Sequence, residues 1–150
     1  MNSHNSLEHQ GHRLLQVGIA LLLFTSFEGF AIPHLNSPRI ALSVHTLSTF
    51  QAILLLALGL LNVLAARVAF WTLLYSAFSI LAAYVIAAIS GVGNETIMLM
   101  GELPHGLHHG SESQETLIKV LAYTSVIGIA SFAIILWGLR SKVASLSIQL

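Results

Sequence analysis

The sequence predicts an all-α integral membrane protein with four transmembrane helices in an antiparallel bundle. Two observations predict it. Of its 150 residues, 55% are hydrophobic and only 8% are charged, with a mean hydropathy of +0.82. A soluble domain needs a polar skin, and charged residues make up roughly a quarter of such a chain. The apolar residues also gather into four runs, at 14–32, 40–64, 68–89 and 117–139. Each run is about 19 to 25 residues long, enough to cross roughly 30 Å of hydrocarbon at about 1.5 Å rise per residue.

The elements follow in order. Residues 1–13 are polar and lack the lysine-rich start and small-residue cleavage site of a signal peptide, so the first run is expected to remain as a helix. Pro33 closes that run, and Asn36-Ser37-Pro38 forms a short turn into the second. Ala65-Ala66-Arg67 makes the next turn, so short that its flanking helices must be antiparallel neighbours. The third connection, 90–115, is long and polar. Ser111 is placed to N-cap the fourth span, with Glu112 and Glu115 in its first turn beside the positive end of the helix dipole. The membrane domain thus runs over 14–140, followed by a tail at 141–150.

With four spans both termini share a side. Arg13, Arg67, Arg140 and Lys142 fall there, against Arg39 and Lys119 on the other, so the positive-inside rule places both termini in the cytoplasm. Trp71 and Trp137 lie near the basic side, where an interfacial aromatic belt belongs. Six basic and six acidic residues cancel, leaving no basic patch to neutralise phosphates, so nucleic acid is not an expected partner. The absence of cysteine excludes disulfides, a thiolate nucleophile and an iron–sulfur cluster.

The chemistry-bearing residues agree in depth. Glu28 lies roughly 6–8 Å before the outer end of the first span, and His45 roughly 8 Å after the outer start of the second. Tyr84 and Tyr123 sit at about the same depth in the third and fourth. Polar groups inside a membrane are kept for function or for helix association. A neutral imidazole at that depth needs a partner, and haem iron, another metal or a neighbouring carbonyl can each supply one. Glu28 can clamp helices together or act directly, whereas Tyr123 reads first as an ordinary packing residue.

On an ideal helix His45, Ser48, Thr49 and Ala52 share a face, while Gln51 points roughly 120° away. Gln51 and His45 therefore serve one pocket most easily across a subunit boundary, to which a neighbour brings its own Gln51 or Tyr84. Small residues (Ser76, Ser79, Ala82, Ala83, Gly128, Ala130, Ser131) allow the close approach that oligomers use. The outer loop carries His105, His108 and His109 with Glu102, Glu112 and Glu115. That run can bind a metal, but Gly106 and Gly110 leave it flexible, and the favoured reading is a solvated lid.

The pattern resembles the hydroxylaminobenzene mutase family of small four-helix membrane proteins and, more distantly, styrene oxide isomerase. The matching pieces are Gly11-His12, Ile32-Pro33, Asn36-Ser37-Pro38-Arg39 with Ser43 and His45, and Leu58-Gly59. Later pieces are Leu74-Tyr75, Ala82-Ala83, His109-Gly110-Ser111 with Gln114-Glu115, and Leu136-Trp137-Gly138-Leu139-Arg140. The resemblance implies a homotrimer in a bacterial inner membrane that holds haem b at its subunit interfaces. It implies His45 as the axial ligand to the iron, and Gln51 and Tyr84 as active-site residues. Gln51 stands where the family has an asparagine, and Phe78-Ser79-Ile80 stands where mutases look like Tyr-Ala-Asn.

The reaction so implied is rearrangement of an aryl hydroxylamine to an ortho-aminophenol, with ferric haem as a Lewis acid on the oxygen of a small apolar aromatic substrate. Isomerisation of an aryl epoxide to an aldehyde uses the same logic and is the nearest alternative. A small multidrug or proton-coupled transporter that uses Glu28 fits the chain length but has no use for His45. A b-type electron carrier would want bis-histidine ligation, and His34 lies in the outer turn.

Overall fold

The computed structural model describes residues 2–61, 67–97 and 103–147. They form helix α1 (Asn2–Ala31), α2 (Pro38–Leu61), α3 (Arg67–Ser90), α4 (Glu112–Thr124) and α5 (Gly128–Ser147), with 3₁₀ turns at Ile32–His34 and Ser125–Ile127. Four stretches are long and apolar enough to cross a membrane: His9–His34, Pro38–Leu60, Val68–Ser90 and Glu112–Trp137. The chain is an all-helical integral membrane protein, and among the described residues there is no strand beyond one isolated bridge between Val92 and His108. Hydrocarbon offers backbone groups no water, so a spanning segment must satisfy its own N–H and C=O groups, which the helix does. The turn expected at Ala65-Ala66-Arg67 falls almost wholly outside the described residues, as does Glu102.

The helices pack in a row. α1 lies along α2, α2 along α3, and α3 along both α4 and α5, while α1 makes no comparable contact with α3, α4 or α5 among the described residues. The α1–α2 pair is close because glycines line it. A Cβ on Gly59 would stand 2.9 Å from the Gly11 carbonyl oxygen, and one on Gly18 would strike Leu56 at 2.8 Å. Further along, Thr25 meets Ser48 and Gly29 meets the ring of His45.

Hydroxyls join α3 to the fourth span. Thr72 and Ser131 hydroxyls are 2.6 Å apart, Ser79 donates to the Leu121 carbonyl at 2.6 Å, and Ser76 donates to the Ser125 carbonyl. The last bond captures a backbone acceptor at the 3₁₀ turn that separates α4 from α5. Thr124 and Ser125 side chains bond back onto Val120 and Ala122 carbonyls, a habit that bends helices. Gly128, against which Ser76 packs, leaves no room for a side chain. The small residues expected to serve oligomer contacts are therefore spent largely within the chain: Ser76, Ser79, Gly128 and Ser131 all face this seam.

The outer loop is anchored rather than loose. The Ser37 carbonyl starts α2 by accepting from Ala41 N–H, while its hydroxyl donates to the His105 carbonyl at 3.0 Å. Asn36 donates its amide to the Ile89 carbonyl at the end of α3. Val92 and His108 are bridged through Gly93 N–H to His108 C=O and His108 N–H to Gly91 C=O. Asn94 donates to the Glu115 carbonyl, and Lys119 pairs with Glu95, whose carboxyl is held below the ordinary carboxylate range by that ammonium. Ser111 caps α4 in a reciprocal box with Gln114, as the sequence predicts for the cap.

Gly106 is not a source of flexibility. It holds φ +87°, and a Cβ there would lie 2.7 Å from the Asn36 carbonyl oxygen. Gly106→Ala is expected to cost about 1–3 kcal/mol through backbone strain and collision. The check is a lower unfolding midpoint of the detergent-purified protein, together with faster proteolysis within 103–110.

Candidate active site

The polar groups expected at one depth are divided among different faces. Glu28 and His45 meet across the α1–α2 seam. Thr25, buried on α1, has its hydroxyl 2.8 Å from both the Leu21 carbonyl and Ser48 Oγ. Ser48, with no exposure at all, has its hydroxyl 3.3 Å from Glu28 Oε2 and 3.0 Å from the His45 carbonyl. Each hydroxyl owns one hydrogen, so the four residues share a chain of donors with fewer protons than acceptors. Thr49 donates back to the same His45 carbonyl at 2.8 Å.

Three side-chain atoms in this region are buried without a hydrogen-bond partner: Glu28 Oε1, His45 Nδ1 and Gln51 Oε1. An unpaired buried polar atom costs roughly 1–3 kcal/mol, so the pair Glu28 and His45 on one seam calls for an explanation beyond packing, as does Gln51 further along α2. His45 itself is half-buried, its ring edge against Gly29 of α1.

Tyr84 sits elsewhere. It lines a cavity of about 470 Å³ between α2 and α3 with Ser43, Thr46, Leu47, Phe50 and Ile80. Neither His45 nor Gln51 lines that cavity. A second groove, about 440 Å³ and walled by apolar residues such as Val17, Phe24, Phe78 and Val85, opens between α1 and α3. A smaller space of about 170 Å³ lies beside Glu28, bounded by Phe24, Leu35, Val44 and Val85. Tyr123 does not join the layer, since it is 58% exposed on the outer surface of α4, where lipid meets the chain.

The loop histidines are exposed. His109 Nδ1 lies 3.0 Å from Glu115 Oε1, which also accepts from Gly110 N–H and so holds the start of α4. Among the described residues no group of three or more histidine, aspartate or glutamate side chains is arranged to hold a bare metal ion. His45 is therefore a lone imidazole, and a lone imidazole suits a metal that arrives with most of its ligands, as iron does in a porphyrin. Sequence reasoning missed Thr25 as the partner of Ser48. Its signal was present, because Thr25 stands one turn before Glu28 on the same helical face.

The styrene oxide isomerase family matches residues 10–140. Hydroxylaminobenzene mutase HabB of Ectopseudomonas oleovorans is 36% identical over 139 residues, which cover 88% of this chain and 82% of that protein. No solved structure matches. Fold and likeness together define a small polytopic membrane isomerase, and the transporter and electron-carrier readings give way to it. The chain belongs to the styrene oxide isomerase family.

The Thr25–Ser48 link joins two helices through buried hydroxyls. Thr25→Val, nearly isosteric, is expected to lower stability by about 0.5–1.5 kcal/mol, the range for interhelical hydrogen bonds in membranes. Unfolding in mixed micelles measures this, and an unchanged midpoint would show that the bond does no stabilising.

Proposed function

We propose that this isomerase is a haem-dependent mutase that rearranges an aryl hydroxylamine to an ortho-aminophenol. The observation that carries the reaction is the likeness, over 88% of the chain, to a protein named as a hydroxylaminobenzene mutase. His45 would hold haem b through its half-buried imidazole, whose Nδ1 side is turned toward Gly29 of α1 and so leaves Nε2 for the group. When bound, ferric haem would supply Lewis-acid chemistry toward the substrate oxygen.

The chain's own residues do the rest. Tyr84 presents a phenol in the apolar cavity between α2 and α3, where it can orient an aromatic substrate or move a proton at its hydroxyl. Gln51, with a buried and unsatisfied amide oxygen, can accept from the substrate's N–H or O–H. Leu47, Phe50 and Ile80 keep bulk water from competing for the rearranging oxygen.

His45 faces α1 and Tyr84 lines the opposite groove, so one chain does not gather both. A homotrimer with haem at its interfaces removes that difficulty, and a row of helices leaves lateral surface for it. The pairing of Gly11 with Gly59, Gly18 with Leu56, Thr25 with Ser48 and Gly29 with His45 runs in opposite senses along α1 and α2, which supports an antiparallel bundle. Placement in a bacterial inner membrane with both termini cytoplasmic rests on the basic residues at the inner ends.

A second reading, isomerisation of an aryl epoxide to an aldehyde, is favoured by the family's own name. Supplying both substrates to the purified protein separates the two, and the mutase reading expects turnover of the hydroxylamine in large excess over the epoxide. His45→Ala is expected to lose the Soret band and reduce turnover to background; a pale, porphyrin-free preparation with full activity overturns the haem role. Tyr84→Phe is expected to keep the Soret band while lowering kcat by about 100-fold or more.

A further inference from the structure

The mutase reading leaves Glu28 without a task, although its burial demands one. Glu28 Oε1 and His45 Nδ1 are both buried and both lack a hydrogen-bond partner. The needs are complementary, because a carboxylate oxygen seeks a donor and a ring N–H seeks an acceptor. The two side chains are electrostatic neighbours across the α1–α2 seam. The Nδ1 edge of His45 packs beside Gly29, the residue that follows Glu28. The other carboxylate oxygen, Oε2, is steadied by the Ser48 hydroxyl at 3.3 Å, itself linked to Thr25.

We propose that Glu28 is a positioning residue that accepts a hydrogen bond from His45 Nδ1–H, which fixes the imidazole tautomer and leaves Nε2 as the ligating nitrogen. This rests on the reading of His45 as the axial ligand. Metal-bound histidines as a rule donate their second N–H to a carboxylate or carbonyl, which orients the ring and raises its basicity. Here the α1–α2 seam offers a carboxylate oxygen that has no other donor. An anionic acceptor gives the imidazole part of the character of an imidazolate, which favours ferric over ferrous iron. The Thr25–Ser48 chain keeps the carboxylate from turning away.

The test uses full-length protein purified in detergent, with two readouts besides activity: the ferric/ferrous midpoint potential and the iron–histidine stretching band of the ferrous form. Glu28→Gln is expected to keep the Soret band, raise the potential and lower the stretching frequency, and Glu28→Ala to do both more strongly. Ser48→Ala removes the carboxylate's other donor, strengthens the bond to Nδ1 and is expected to shift both readouts in the opposite direction. Haem-bearing variants with potentials and stretching bands like those of the starting protein overturn the assignment. If the purified protein carries no Soret band, the axial reading fails by itself. The pair is then decided by ¹⁵N NMR of labelled histidines, with the His45 resonances identified by His45→Ala. An Nδ1–H tautomer that shifts toward Nε2–H in Glu28→Gln supports the pair, and an identical tautomer in both proteins refutes it.

Discussion

Inside the hydrocarbon layer a polar side chain can look only to another protein group for its hydrogen bonds, and the seam between α1 and α2 is organised by that constraint. Thr25, Glu28, His45 and Ser48 would each be costly alone, yet placed opposite one another they share donors and acceptors and draw the helices together. Glycines at positions 18 and 59 bring the backbones close enough for short side chains to meet. Were the glycines larger, hydroxyls as short as those of Thr25 and Ser48 would not reach. The polar seam and the glycine seam are one device, and the placement of His45 depends on it.

Much of the fold was legible in the sequence because a membrane imposes a coarse rule. Four apolar runs separated by polar residues forecast four spans, and Ser111 ahead of the acidic Glu112 and Glu115 announced the cap of α4. The interruption between Thr124 and Gly128 was not legible, because Ser125-Val126-Ile127 continues an apolar run and only the Ser76 hydroxyl on α3 reveals why the helix tightens there. The loop misled for a related reason. Glycine in a polar stretch signals freedom when nothing is known of its neighbours, whereas Gly106 is glycine because Asn36 and Ser37 crowd it. The Asn36-Ser37-Pro38-Arg39 segment, which carried much of the resemblance, proves to tie the first turn to the end of α3 and to the outer loop.

The site was half legible. Depth, read from helical rise, put Glu28 and His45 at one level, and they meet across the α1–α2 seam. Depth carries no information on azimuth, however. Tyr84 and Tyr123 matched His45 in height yet face a separate cavity and the lipid surface respectively. Which side of a helix meets which neighbour is settled by packing order, and a row of helices was not forecast by a pattern equally compatible with a closed bundle.

The row has a consequence for catalysis. A closed bundle would bring residues from all four spans around one axis, so that a single chain could surround its substrate. In a row, α2 meets α1 on the His45 side and α3 on the Tyr84 side among the described residues. The imidazole and the phenol thus serve different cavities, with α2 a continuous helix between them whose Val44, Ala52 and Leu55 are buried. Under the proposed function a second copy would bring its own phenol to the first copy's imidazole. A trimeric enzyme would then be needed for chemistry rather than for stability alone. Its active sites would open at the lateral faces, where an apolar aromatic substrate arrives by diffusion within the bilayer.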